Sequence, residues 1–292
     1  MSDSRPFVIA TDSTSDLPLK YLEENDIPFI SLTFNIDGAD RKDDLGKTVD
    51  YKAFYARMRE GSPATTAQIT MNEFITFFEP MLQKGLDVIY IGFSSGLSGT
   101  FESSVMAQRE LAPKYPQARL TVIDSRCASM GEGLLVYLAA EKKKAGASYD
   151  EVVKWAEENK LKLNHWFTVD DLHHLHRGGR VSATSAIIGT ILKIKPILNV
   201  NNEGKLIPME KSAGRKHALK RLVELMEENA VDPGSQTVFV SHGDSAEDAE
   251  YVANLVREKF GVKNIMINYI GPVIGSHSGP GTIALFFMGR QR

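Results

Sequence analysis

The chain has 292 residues, of which 42% are hydrophobic and 24% charged, with a formal net charge of −3. That length holds one large or two ordinary domains with ample core, and the charge balance without a long basic run argues against nucleic acid as a partner. A single cysteine, Cys127, excludes an intrachain disulfide framework and fits a reducing compartment, and neither a signal peptide nor an apolar run of ~20 residues is evident, so a cytoplasmic location is expected.

In chain order, FVIATD (7–12) reads as a first strand, with Asp16 as N-cap and Pro18 in the first turn of a helix reaching Asn25. IPFISLTFNI (27–36) reads as a second strand before an Asp37-Gly38 loop, and YKAFYARMRE (51–60) as a helix. The segment GSPATTAQIT (61–70) reads as a loop whose threonines cap a helix near 72–84. LDVIYI (86–91) has the length and β-branched content of a buried strand, and a helix is expected after Thr100. RLTVID (119–124) is the next strand, with helices from about Gly133 to Ala145 and over 149–161. Strands alternating with helices imply an α/β domain with a largely parallel sheet, assigned to residues 1–162.

The second half, 163–292, reads as an α+β domain. HWFTVDDL (165–172) gives a strand and a helix start, and in LHRGGRVSATSA (175–186) the paired glycines end one helix before a Ser182-led start to another. Residues 191–215 look like two strands turning at Asn202–Gly204. Helix, strand, helix and strand follow over about 215–229, 236–242, 246–260 and 264–270. The chain then runs through a glycine-rich loop, GPVIGSHSGPGT (271–282), into the apolar tail IALFFMG (283–289).

The stretch with the most chemistry is GFSSGLSGTFESS (92–104). Ser94, Ser95, Gly96, Ser98 and Gly99 fall in a strand-to-helix turn, where open α/β sheets bind ligands. Hydroxyls, close-approaching glycines and free N–H groups at a helix start favour an anion, read here as a carboxylate. A glycine-rich turn with capping serines is the plainer alternative. Thr65 and Thr66 would hold the same carboxylate if their loop faces this turn. His277, between Gly275 and Gly279, is sterically accessible and suited to binding an anion or donating a proton. Gly92-Phe93-Ser94-Ser95-Gly96 also matches the G-x-S-x-G nucleophile elbow, with Asp124 or Asp170 and then His277 in hydrolase order. His173, His174 and His176 do not make a metal set, lacking converging ligands, and read as a solvated helix face. Arg177 and Arg180 form a small basic patch beside Gly178-Gly179.

Seven segments in order, IATDSTSDLP, TTAQIT, SSGLSGTFESS, TVIDSRCASMGEG, LHRGGRVSATSA, KIKPIL and GPVIGSHSGPGT, resemble the DegV family over residues 9–282. The resemblance implies a two-domain fold holding a long-chain fatty acid as ligand, with no cofactor. It implies a carrier subunit of a bacterial fatty acid kinase, acting in phospholipid metabolism with transient membrane contact. A separate ATP-dependent kinase subunit would phosphorylate the presented carboxylate. Carried over by motif, Thr65 or Thr66 and Ser94 or Ser95, the latter with Gly96, would bind the carboxylate, with His277 beside it. Arg180 would lie on the surface that docks the kinase. The family's threonine loop resembles T-S-Q-P-S, whereas this chain has Ala67 and Ile69 at the Ser and Pro positions. No G-x-x-x-x-G-K-[ST] loop is present, so no ATP site of its own is expected. The reading is therefore a lipid carrier and not an enzyme. The alternatives are a serine esterase or thioesterase using Ser94, and a binding module for another small acid.

Overall fold

The structure is a computed structural model that describes residues 5–182 and 194–292. The chain opens with β1 (Phe7–Asp12), a 3-10 turn, α1 (Leu19–Glu24), β2 (Phe29–Ile30), β3 (Thr33–Ile36) and β4 (Ala39–Lys42). It continues through α2 (Tyr51–Arg59), β5 (Ala64–Ala67), α3 (Met71–Gln83), β6 (Asp87–Gly92), α4 (Thr100–Leu111) and β7 (Leu120–Asp124). Then come α5 (Met130–Lys144), α6 (Tyr149–Asn159), β8 (Leu163–Thr168) and α7 (His173–Arg177). The remainder comprises β9 (Ile194–Val200), β10 (Leu206–Ala213), α8 (Arg215–Asn229), β11 (Thr237–His242), α9 (Ala246–Phe260), β12 (Asn264–Tyr269), α10 (Pro272–Ser278) and β13 (Ile283–Met288).

Three sheets organise these elements. A parallel sheet runs β2-β1-β6-β7, a mixed one β10-β9-β8-β13-β11-β12, and a small antiparallel one β4-β3-β5. The first is the expected doubly covered α/β sheet, and β6 at its centre is buried along its whole length. In the mixed sheet β13 lies between β8 and β11, so the apolar tail of the sequence is an interior strand. Buried side chains from α5, β1, β6, β8, β11 and β13 share one core cluster. Helix α5 thus lies between the two large sheets. Its first seven residues, Met130 to Val136, are all buried, as a helix covered on every side requires. Among the described residues no helix is long and apolar enough to cross a membrane.

Six local expectations need correction. Asp16 does not cap α1, whose N-cap is Pro18; Asp16 is left-handed at φ 50 and turns its carboxylate inward. Residues 27–36 split into β2 and β3, which join different sheets. Asp37 and Gly38, with φ of 54 and 77, close the β3–β4 hairpin as a two-residue turn. Residues 64–67 form a strand on β3 and not a loop. Thr70 alone caps α3, through a reciprocal capping box with Glu73. The segment 272–278 is helical, with Pro272 in its first turn and Gly279 at its end, so His277 sits in a last helical turn. The expected Ser182-led helix lies outside the described residues.

Candidate ligand site

A cavity of about 440 Å³ lies between the parallel and mixed sheets, bounded by α10, α7 and the turn after β6. Its inner wall is largely apolar. Strands β8 and β13 pair His165 with Phe286 and Phe167 with Ala284, and all four side chains line the cavity. Val200 and Leu206, paired across the β9–β10 hairpin, extend this wall, and Leu97, Leu175, Val273 and Ile274 complete it. The mouth is polar, carrying Thr66, Gln68, Ser98, Arg180 and His277. The volume lies in the ordinary range of small-molecule sites.

Because strand side chains alternate, β5 sends Thr66 toward the cavity and leaves Thr65 exposed on its other face. Thr66 Oγ1 lies 2.8 Å from His277 Nε2. His277 packs against Gly178, where a β-carbon would overlap Nδ1, and that nitrogen is buried without a partner. Burial and the charges of Arg180 and Arg177 push the imidazole down to about 4, so it is neutral near pH 7. The buried hydroxyl of Ser278, also on the cavity wall, makes no hydrogen bond.

The hydroxyls of the turn after β6 divide by partner. Ser94 is fully buried and donates to the Gly204 carbonyl at 2.8 Å. Ser95 donates to Asp124 at 2.6 Å, and Gly96 packs against the backbone of Glu203 and Gly204. These three residues fasten the turn to β7 and to the β9–β10 hairpin, and none of them lines the cavity. Ser98 does line it, sharing a hydrogen bond of 3.0 Å with Thr100. The expected pairing therefore comes together in part: Thr66 and His277 meet at the mouth, while Thr65, Ser94, Ser95 and Gly96 lie outside it. Ser98 was named with this turn in the sequence but was not among the residues carried over by motif to the carboxylate.

Arg180 is also placed differently from the expected docking surface. It is half-buried in the cavity wall, with Nε and Nη2 donating to the Leu97 carbonyl at 3.1 and 2.9 Å and Nη1 donating to the Gly178 carbonyl. Three of its five N–H groups are thereby used. No carboxylate among the described residues lies within ion-pair distance of it. Burial alone draws its pKa down.

The hydrolase constellation is not assembled. Ser94 faces a carbonyl, Asp124 holds Ser95, Asp170 pairs with Lys195 and Arg215, and His277 meets Thr66. His173, His174 and His176 fall on α7, where His174 accepts from Arg177 at 3.0 Å. Among the described residues no three His, Cys, Asp or Glu side chains are grouped to hold a metal.

A family model described as "Uncharacterised protein, DegV family COG1307" matches residues 6–290. The DegV domain-containing protein CPE0026 of Clostridium perfringens is 48% identical over 285 residues, covering 98% of each chain. Among solved structures, DegV of Bacillus subtilis, described as a fatty acid binding protein, is 32% identical with a TM-score of 0.84 over 98% of this chain and 100% of its own. A DegV lipid binding protein of Thermotoga maritima is 30% identical, with a TM-score of 0.85 over 98% of this chain and 99% of its own. With the fold matched from end to end and the family's model spanning nearly every residue, this chain belongs to the DegV family.

Proposed function

We propose that this protein binds a long-chain fatty acid, with the tail in the apolar cavity and the carboxylate at its mouth. The observation that carries the reading is Arg180, a half-buried cation without a carboxylate partner among the described residues, at the rim of a cavity walled by Phe167, Leu175, Val200 and Phe286. An anion with an apolar tail matches both surfaces at once. Burying each methylene is worth ~0.8 kcal/mol, so affinity should rise with chain length until the cavity is full. The head group would lie among Thr66, Ser98, Arg180 and His277. A neutral His277 protonated on Nε2 would donate to Thr66 and free the threonine hydroxyl to donate to the carboxylate. The fatty acid binding stated for the Bacillus subtilis relative supports the same reading.

In this role the chain is a cytoplasmic carrier, not an enzyme on its own. It presents the carboxylate at the mouth to a separate ATP-dependent kinase subunit, which forms the acyl phosphate. Hydroxyl and guanidinium donors satisfy the carboxylate, and an oxygen turned outward from the mouth would remain open to a phosphoryl donor.

The deciding experiment is mass spectrometry of the purified protein under native and denaturing conditions, with an organic extract analysed in parallel. The expected result is a mass difference equal to one long-chain fatty acid. Protein that purifies empty and takes up no added palmitate or oleate would overturn the reading.

A further inference from the structure

One wall of the cavity is carried by a single short element. Ile270, Val273, Ile274, His277 and Ser278 line the cavity, and all but the first lie on α10. This helix is seven residues long, with Gly271 before it and Gly279 after it, so its own hydrogen bonds hold it weakly in place. Two carboxyls seat its first turn. The Gly271 amide donates to Asp16 Oδ1 at 2.8 Å. A β-carbon on Gly271 would lie 2.8 Å from both Asp16 Oδ1 and Asp43 Oδ2, so both carboxyls meet the chain at one backbone position. The Val273 amide and the Tyr51 hydroxyl also turn toward Asp43, and Tyr55 donates to the Ile270 carbonyl at 2.8 Å. Ser129, on the cavity wall, donates to the second oxygen of Asp16 and ties the pair to the cavity again.

Asp16 and Asp43 are each at most 1% exposed, and Asp43 Oδ2 has no hydrogen-bond partner. The groups that face the two are acidic or neutral: Asp12 and Glu132 toward Asp16, Asp44 beside Asp43, and Tyr51 and Tyr55 from α2. Arg59 of α2 is paired with Asp244, and Arg177 and Arg180 act on His277 at the opposite end of α10. A carboxylate at Asp43 is thus buried, short of donors and beside like charges, and burial foremost raises its pKa to about 7. By linkage, its ionisation favours an arrangement that admits water to Oδ2. Gly271 lies against that oxygen, so the element that must shift is the start of α10.

Building on the fatty-acid reading, we propose that Asp43, with Asp16, is a positioning residue for the ligand site, seating α10 against the cavity while Asp43 carries a proton and loosening it when Asp43 ionises. Near neutral pH the carrier then passes between a form that retains its fatty acid and one that exchanges it. His277, lowered to about 4, stays neutral throughout and takes no part in the change.

The test is displacement of bound cis-parinaric acid, a fluorescent fatty acid, by excess oleate, followed by stopped flow on the intact protein. Between about pH 6 and 8 the dissociation rate of the wild type should rise by about fivefold, the low end of ordinary coupling between sites. Asp43→Asn keeps the shape of the side chain without its charge, and its rate should stay slow and flat. Titration of the fatty acid itself is common to both proteins, so parallel profiles would overturn the proposal. As a second readout, amide hydrogen exchange of residues 270–279 in the lipid-free wild type, referred to α9, should lose protection over the same range. Unchanged relative protection would overturn the proposal even if Asp43→Asn fails to fold. A wild type that binds both acids and releases them at a rate independent of pH removes the role of Asp43 alone, whereas failure to bind either acid removes the fatty-acid reading with it.

Discussion

Two polar clusters in the molecule handle buried charge in opposite ways. On one side Asp12, Asp16, Asp43 and Glu132, each at most 1% exposed, form a nest of carboxyls. Asp12 accepts from Thr14, from the Tyr90 hydroxyl at 2.6 Å and from the Phe93 amide at 3.1 Å. Glu132 accepts from Thr11 and Thr14, and Asp16 from Ser129 and the Gly271 amide. No lysine or arginine among the described residues pairs with any of the four. Burial instead pushes every one of these carboxyls up, so that a proton can do the neutralising. On the other side, the cavity mouth holds one arginine. A guanidinium has no such escape, because it does not deprotonate in a protein. Apart from Asp43 Oδ2, which is buried without a hydrogen-bond partner, the nest finds its donors within the protein, while the mouth calls for an anion from outside, and this difference separates a structural cluster from a binding site.

The largest effects should come from crossing the two. Asp12→Ala leaves the Tyr90 hydroxyl and the Phe93 amide buried without an acceptor, so it should lower the unfolding free energy by about 3–5 kcal/mol. Arg180→Met loses only bonds to two carbonyls and relieves a desolvated charge, so stability should change by no more than about 1 kcal/mol. Its fatty-acid affinity should fall by about thirtyfold, roughly 2 kcal/mol. Urea melts and fluorescent fatty-acid titrations of both variants check the pair. A large stability loss in Arg180→Met with unchanged affinity would place this arginine with the nest.

The clusters should also answer pH with opposite signs. Asp43 is raised to about 7 by burial, so from about pH 4 to 7 the folded state holds a proton the unfolded chain lacks, and stability falls as pH rises. His277 is lowered to about 4, so from about pH 4 to 6.5 the unfolded chain holds the extra proton and stability rises with pH. Denaturant melts across this window should show Asp43→Asn losing the falling contribution and His277→Asn losing the rising one. Identical pH slopes in the two variants would break the contrast.

How much of this was legible in the sequence depends on the range of the forces involved. Strands β1, β6, β7 and β11 carry enough β-branched and apolar residues to be read locally, and the alternation of strand and helix declared the parallel sheet. Strand β5 was not legible, because Ala64–Ala67 has no apolar alternation and is a strand only through its pairing with β3. Glycines at 271 and 279 suggested a loop, although Pro272 at a first turn and a glycine after the last one are also helix punctuation. Of the site, Thr66 and His277 were marked as candidates, but their contact joins positions 211 residues apart. Arg180 was marked for its charge. That it lacks a carboxylate partner among the described residues is a property of the fold alone.

The smallest effect sharpens the same distinction inside one turn. Ser94, Ser95 and Ser98 carry the same hydroxyl, and the motif favoured Ser94 and Ser95, whose partners 110 and 29 residues away turn them from the cavity, over Ser98, whose partner is the nearby Thr100. Ser98 lies two residues before the first helical residue, Thr100, whose amide its hydroxyl accepts from at 3.2 Å. Ser95 spends its hydrogen bond on Asp124, whose other oxygen accepts from the Ser95 and Arg126 amides. Ser95→Ala should therefore cost about 1 kcal/mol of stability and change fatty-acid affinity by less than about threefold. Ser98→Ala removes a donor from the mouth, and losing one bond to a carboxylate should weaken binding by about tenfold, roughly 1.4 kcal/mol. Measuring both affinities against the same fatty acid, with a urea melt for each variant, separates a hydroxyl that builds the turn from one that serves the ligand. Equal losses of affinity would mean that the turn moves as a unit and that Ser98 has no separate part in holding the head group.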